Sequence, residues 1–218
     1  LLTFLTPDQY CYDEEILLAY EAGFKTTILD GRARVNFSAY YYDYQDYQVF
    51  QFIGTSGAVF NVDAEYKGLE VEVFASPSEN LDLMFGLGLI DPKVKDVAVA
   101  QGVIRDVEAS FTPEVQFSGL GRYTWPNSVM GGSVALQVDG NHASSSFHNI
   151  NNFGSHKMES YWLGNASLTW LSADDHWEVT GFINNFSDTR NQNIGFELST
   201  VCGCDEQSFG LPRMYGAK

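Results

Sequence analysis

The sequence predicts an all-β fold: an antiparallel transmembrane β-barrel, present in part, as about nine long strands. Three observations predict it. Apolar and polar residues alternate over runs long enough to cross a bilayer, which takes about nine to eleven tilted residues. Short and long connections alternate strictly along the chain. Tyrosines gather where alternating runs end, the place where amphipathic rings mark a membrane interface.

The elements follow in order. Leu17 to Tyr47 reads as two strands joined at Leu29-Asp30-Gly31-Arg32. Asp-Gly accepts positive φ, so a two-residue hairpin is expected there. In the second strand Ala33, Val35, Phe37, Ala39 and Tyr41 are apolar, whereas Arg32, Arg34, Asn36 and Ser38 are polar. Tyr40, Tyr41, Tyr42, Tyr44 and Tyr47 then cluster at its end. A third strand is expected over Val59 to Ala75 and a fourth from Leu81, where Leu83, Phe85, Leu87 and Leu89 alternate with Asp82, Met84, Gly86, Gly88 and Ile90. The fifth runs from Glu114 to Trp125 and the sixth from Ser133 to Asn141. The seventh, Tyr161 to Leu171, slips phase near Gly164, which predicts a bulge. The eighth spans Trp177 to Phe186, and the ninth begins near Phe209 and runs to Lys218.

The connections at 29–32, 77–80, 126–128 and 172–175 are short. Those at roughly 51–58, 96–112, 142–159 and 188–208 are long and polar. Short turns on one rim and long loops on the other are the pattern of an outer-membrane barrel, with the turns periplasmic and the loops extracellular. The turns recur roughly every 48 residues, a period that a soluble β-propeller blade also has. A blade needs four short strands per period; here each period holds two long ones.

Composition narrows the function. The 218 residues carry 12 basic and 28 acidic side chains, a net charge of −16, which excludes a phosphate-neutralising nucleic-acid binder. No apolar run is long enough for a spanning helix, and no N-terminal signal is visible at Leu1-Leu2-Thr3-Phe4. Cys11, Cys202 and Cys204 do not make a finger-like metal site. Cys11 is free to pair with one of the other two, or all three are unpaired loop cysteines. The chain is expected to be no enzyme and to use no metal or other cofactor: it has no nucleophile elbow, P-loop, zinc-protease helix or dinucleotide fingerprint. Gly86-Leu87-Gly88 sits inside an alternating strand, where glycine allows close backbone approach.

The strand carboxylates Glu21, Glu70, Glu72, Asp82, Glu114, Asp139 and Glu178 share polar faces with Lys25, Arg32, Arg34 and Arg122, so a cross-strand ion network lining a wet interior is expected. His142, His148 and His156 fall in one long loop with Asn141, Asn149, Asn151 and Asn152; their spacing matches no compact ligand pattern, and the expectation is an exposed polar loop. Asn36-Phe37-Ser38, Asn165-Ala166-Ser167 and Asn185-Phe186-Ser187 match the glycosylation acceptor pattern but fall on strands.

Tyr20-Glu21-Ala22-Gly23-Phe24-Lys25, Leu29 to Asn36 and Tyr40-Tyr41-Tyr42-Asp43-Tyr44 together resemble the barrel of a TonB-dependent outer-membrane receptor. Asn61 to Glu70, Trp177 to Asp188 and Pro212-Arg213-Met214-Tyr215-Gly216 resemble later strands of that family. The resemblance implies a 22-stranded barrel with an N-terminal plug, importing a siderophore, cobalamin or oligosaccharide with energy delivered through TonB. The plug and the TonB-contacting box are missing, and no aromatic ending follows Gly216, so residues 1–218 are expected to be a single C-terminal segment of the barrel domain. About nine strands cannot close that barrel, and open edges in lipid cost several kcal/mol per unpaired group, so the isolated chain is expected not to transport.

The expected partners are outer-membrane lipid, a small-molecule ligand and, through the missing plug region, TonB; no nucleic acid is expected. His142, His148, Asn151 and Asn152 in the long loop, with Tyr44 and Tyr47 at the rim, are the expected ligand contacts. A passive porin-like channel is the nearest alternative, followed by an outer-membrane enzyme using a Ser/His pair at Ser144, Ser145 or Ser146 and by a soluble propeller.

Overall fold

A computed structural model describes residues 11–53, 56–126, 129–198 and 202–218. In chain order its strands are β1 (Ile16–Ile28), β2 (Ala33–Ile53), β3 (Ser56–Ser78), β4 (Leu81–Ala100), β5 (Val103–Glu108), β6 (Val115–Trp125) and β7 (Ser133–Ala143). There follow β8 (Ser146–Phe147), β9 (Lys157–Met158), β10 (Tyr161–Leu171), β11 (Glu178–Asn184), β12 (Gln192–Leu198), β13 (Cys204–Phe209) and β14 (Met214–Ala217). One antiparallel path runs β1-β2-β3-β4-β6-β7-β10-β11-β14, with β5 folded back on the far half of β4. These are the nine strands expected, and the path stays open between β1 and β14. No helix among the described residues is long and apolar enough to cross a membrane. The crossing elements are strands.

Register fixes the two faces. Phe37, Val71, Leu87 and Phe117 stand side by side across β2, β3, β4 and β6, so the apolar residues form one continuous outer band. Asn36, Glu72, Gly86, Ser118 and Asn141 align on the other face. The band carries aromatics near its ends: Tyr123 and Trp125 pack at 4.7 Å on the turn side, and Phe117 and Trp162 at 5.6 Å on the loop side.

Several expectations change. The first turn is a four-residue loop, because Ile28 pairs with Ala33 and the Arg32 amide donates to the Leu29 carbonyl at 3.1 Å. Leu29, Asp30 and Gly31 all take positive φ there, at 53°, 52° and 90°. Gly164 makes no bulge: β10 pairs with β7 without interruption from Tyr161 to Leu171. Its missing side chain instead leaves room for the Phe186 ring. The ninth sheet strand starts at Met214, since Phe209 closes the separate β12–β13 hairpin. Asn185 lies just past β11, and its side chain bonds the Thr189 and Leu211 carbonyls. Part of the turn at 126–128 and the chain start at Leu1 lie outside the described residues.

The long connections are largely built of sheet. β2 holds 21 residues and β3 holds 23, about twice what a bilayer crossing needs. They pair out to Ile53 and Ser56, so residues 51–53 and 56–58 of the expected loop are strand. Above the band, register shifts occur between Tyr44 and Tyr47 and between Val94 and Val97. Asp46 and Asp96 sit inside these bulges with φ of 57° and 52°, a conformation that Asp tolerates better than most residues. Around and beyond them Val49, Ala64, Val94, Val97, Val99, Val107, Ala109 and Ile150 close a buried apolar cluster, on which Tyr44, Tyr47 and Tyr66 pack. Burial at about 25 cal/mol per Å² holds this part together away from lipid.

The expected ion network is not what forms. Among the described residues the ion pairs of the sheet are Lys67–Asp91 at 2.9 Å, Lys93–Asp106 at 2.7 Å and Lys95–Glu65. They stand in a row just past the apolar band on the loop side. The register explains the change: it sets Lys25 opposite Asn36 and Arg34 opposite Phe74, whose ring centre lies 4.8 Å from the guanidinium. Arg32 donates to the Leu29 and Pro77 carbonyls. Cys202 and Cys204 are bonded to each other and Cys11 is free, an arrangement that is neither of the two alternatives left open by the sequence.

Candidate functional site

The inner face of β3, β4, β6 and β7 is hollowed into two adjoining depressions of about 550 and 390 Å³. Their floor is β4, where Gly86 and Gly88 replace the inward side chains that every neighbouring strand keeps. The walls present Glu70 and Glu72 from β3, Gln116 and Ser118 from β6, and Asp139 and Asn141 from β7. At the turn-side end Phe74, Met84 and Leu120 supply an apolar patch.

The walls are held by neighbouring amides. Asn36 Nδ2 donates to Glu72 Oε2 at 3.0 Å, and Asn165 Nδ2 donates to Asp139 Oδ2 at 2.8 Å. Gln137 Nε2 also donates to Asp139 Oδ1 at 3.3 Å, and among the described residues no cation pairs with Glu70, Glu72 or Asp139. Such a surface accepts hydrogen bonds and favours ligands rich in donors or carrying positive charge.

The structure disperses the six expected contact residues. Tyr44 and Tyr47 form a three-ring cluster with Tyr66, with centroids 5.2 to 6.0 Å apart. Tyr47 also lines a cavity of about 240 Å³ together with His148 and Asn149. His142 falls on the outer face, stacked on Trp162 at 4.4 Å, with Nδ1 at 2.8 Å from the Tyr161 carbonyl. His148 is 5% exposed and lies beside His156, which is 1% exposed; the expected exposed loop is in fact packed. The asparagines are engaged within the protein. Asn151 Oδ1 accepts from Gln51 at 2.9 Å. Asn152 Oδ1 accepts from the Glu108 amide at 2.7 Å while its Nδ2 donates to the Glu108 carbonyl at 3.0 Å, mimicking one more strand on the edge of β5.

Sequence reasoning passed over the hollow itself. The available signal was the pair of glycines on the wet face of β4, opposite carboxylates two positions apart on β3.

An apolar outer band between aromatic rims, a wet inner face with a hollow, and loops folded into a cap define the wall of an outer-membrane β-barrel. A family model described as "TonB dependent receptor-like, beta-barrel" matches residues 13–186. The chain belongs to this TonB-dependent receptor family, and its place is the outer membrane of a Gram-negative cell. Among solved structures it is similar to the ferric yersiniabactin uptake receptor FyuA from Yersinia pestis, at 14% identity and a TM-score of 0.75 over 93% of this chain. It is also similar to the siderophore receptor PiuA from Acinetobacter baumannii, at 14% identity and 0.73 over 98%. A third is the ferripyoverdine receptor of the Pseudomonas aeruginosa outer membrane, at 18% identity and 0.66 over 93%. The chain spans 29%, 29% and 27% of the lengths of these receptors, and at such identities the likeness is one of fold.

Proposed function

We propose that residues 1–218 are one segment of a receptor barrel that takes up a scarce ligand of the ferric siderophore class, driven through TonB. The observation that carries this reading is the glycine-floored, carboxylate-walled hollow on the inner face, below the packed loops. It gives a ligand released from the loops a polar surface along the import wall. The similar solved receptors, which are named for ferric yersiniabactin, siderophores and ferripyoverdine, favour that class over cobalamin or oligosaccharide. The segment acts by binding, without covalent chemistry, and coupling to TonB runs through a plug region outside this chain.

The test is uptake of radiolabelled ferric siderophores, both catecholate and hydroxamate, by iron-limited cells that make the protein. Uptake should stop on adding an uncoupler and fall several-fold in Gly88→Trp, whose side chain would fill the hollow where the nearest atom to a new Cβ is 4.0 Å away. Uptake that persists with the uncoupler would indicate a passive channel and refute the reading.

A further inference from the structure

A second cluster lies outside the hollow, where the β8–β9 and β12–β13 hairpins meet. His156 is the last residue of the 3-10 turn Gly154–His156 between β8 and β9, Glu197 is on β12 and Asp205 on β13. The donor atoms of these three all lie within 4.8 Å of one another, and His156 Nε2 stands 3.9 Å from Asp205 Oδ2. That is too long for a hydrogen bond. Two donors on one tetrahedral zinc ion, each at about 2.0–2.2 Å, sit roughly 3.3–3.6 Å apart, so the His156–Asp205 pair would close by about half an ångström and no pair of the three by more than about 1.5 Å.

The surroundings need an occupant. His156 and His148 are buried, with ring centres 5.0 Å apart. Both nitrogens of His148, Nδ1 of His156 and Oδ1 of Asp205 have no hydrogen-bond partner among the described residues. Buried polar atoms left this way are costly, and an ion is one standard reason for finding them. Gly195 on β12 makes room for His148, since a Cβ there would strike its imidazole.

We propose that His156, Glu197 and Asp205 form a binding site for a divalent transition cation of the zinc type, with the buried His148 imidazole beside it. One imidazole and two carboxylates, with a fourth position left to water, suit zinc better than the all-oxygen shells that calcium and magnesium prefer. The ion would join two hairpins that are separate sheets, fixing the cap over the inner face. This site does not depend on the import reading.

The experiment is titration of the protein, purified from membranes in detergent and stripped with chelator, with Zn²⁺ alone and with Co²⁺ as a visible-absorption probe. One ion per chain is expected, with Co²⁺ bands of tetrahedral intensity. Affinity should fall at least tenfold in His156→Gln and Asp205→Asn, while His176→Gln, at the exposed His176–Asp174 pair, should bind like the parent. Zn²⁺ should also slow proteolysis within 192–209 in the parent and not in Glu197→Gln. The absence of a saturable one-to-one site in the parent, or equal affinity in His156→Gln and Asp205→Asn, would overturn the proposal, whatever the variants do to loop folding.

Discussion

Leu87→Arg tests the assignment of the two faces. Leu87 lies on the outer face between Val71 and Phe117, and on β4 the apolar band runs from Leu81 to Leu89 before Asp91 pairs with Lys67. At about 3.4 Å per residue that stretch is roughly 27 Å along the strand, or about 19 Å along the membrane normal at a 45° tilt. Leu87 is two residues beyond Phe85 at the centre, about 5 Å along the normal. Arginine costs about 2–4 kcal/mol at the midplane and about 0–1 near the interface, so about 2 kcal/mol is expected at Leu87. Gly88→Ser puts a small polar group on the wet face, where its Cβ would meet the nearest atom at an ordinary 4.0 Å; less than about 0.5 kcal/mol is expected. Reversible folding into lipid vesicles, followed by tryptophan fluorescence against guanidinium concentration, measures both. Equal costs at the two positions would refute the face assignment.

Two further outcomes are expected. Asn152→Ala strips both partners from the Glu108 backbone on the edge of β5, which should destabilise the β4–β5 extension by about 2 kcal/mol; hydrogen exchange at the Glu108 amide checks this, and unchanged protection there would count against it. The Asp188 carboxylate accepts from the Arg213 amide at 2.9 Å, which holds its pKa below the ordinary Asp range, aided by the Arg213 charge. Its folded pKa is depressed, so its contribution is complete above the unfolded value of about 3.9 and is lost as pH falls through the lower folded value. Protection of the Arg213 amide should therefore drop below about pH 4 in the parent and stay level in Asp188→Asn.

What was legible in the sequence was whatever the period-two pattern controls. Tyr161 to Leu171 was read to the residue, because its alternation meets Ser172-Ala173-Asp174-Asp175 at one end and a polar loop at the other. The extensions of β2, β3 and β4 were missed because bulges at Asp46 and Asp96 break the alternation that marks a strand. The site was less legible. Gly86 and Gly88 draw meaning from Glu70 and Glu72 only once β3 and β4 are in register. His156 and Asp205 meet through two hairpins whose contact leaves no local trace. Conversely, His142 looked like a loop ligand because its neighbours are polar; one residue of strand parity sends it to the face of Phe117 and Trp162.

The bulged strands have a consequence for how this molecule comes apart. Well below Asp46 and Asp96 a single sheet layer relies on lipid against its outer face, whereas around and above them the same strands enclose their own cluster around Val94 and Val97. The two halves answer to different solvents. Taking away the lipid should release the lower half while the upper half melts only when heated, with the positive heat-capacity change of a water-soluble core. A polypeptide continuous through both would then unfold from the membrane outward, in two stages with a boundary at a pair of aspartates.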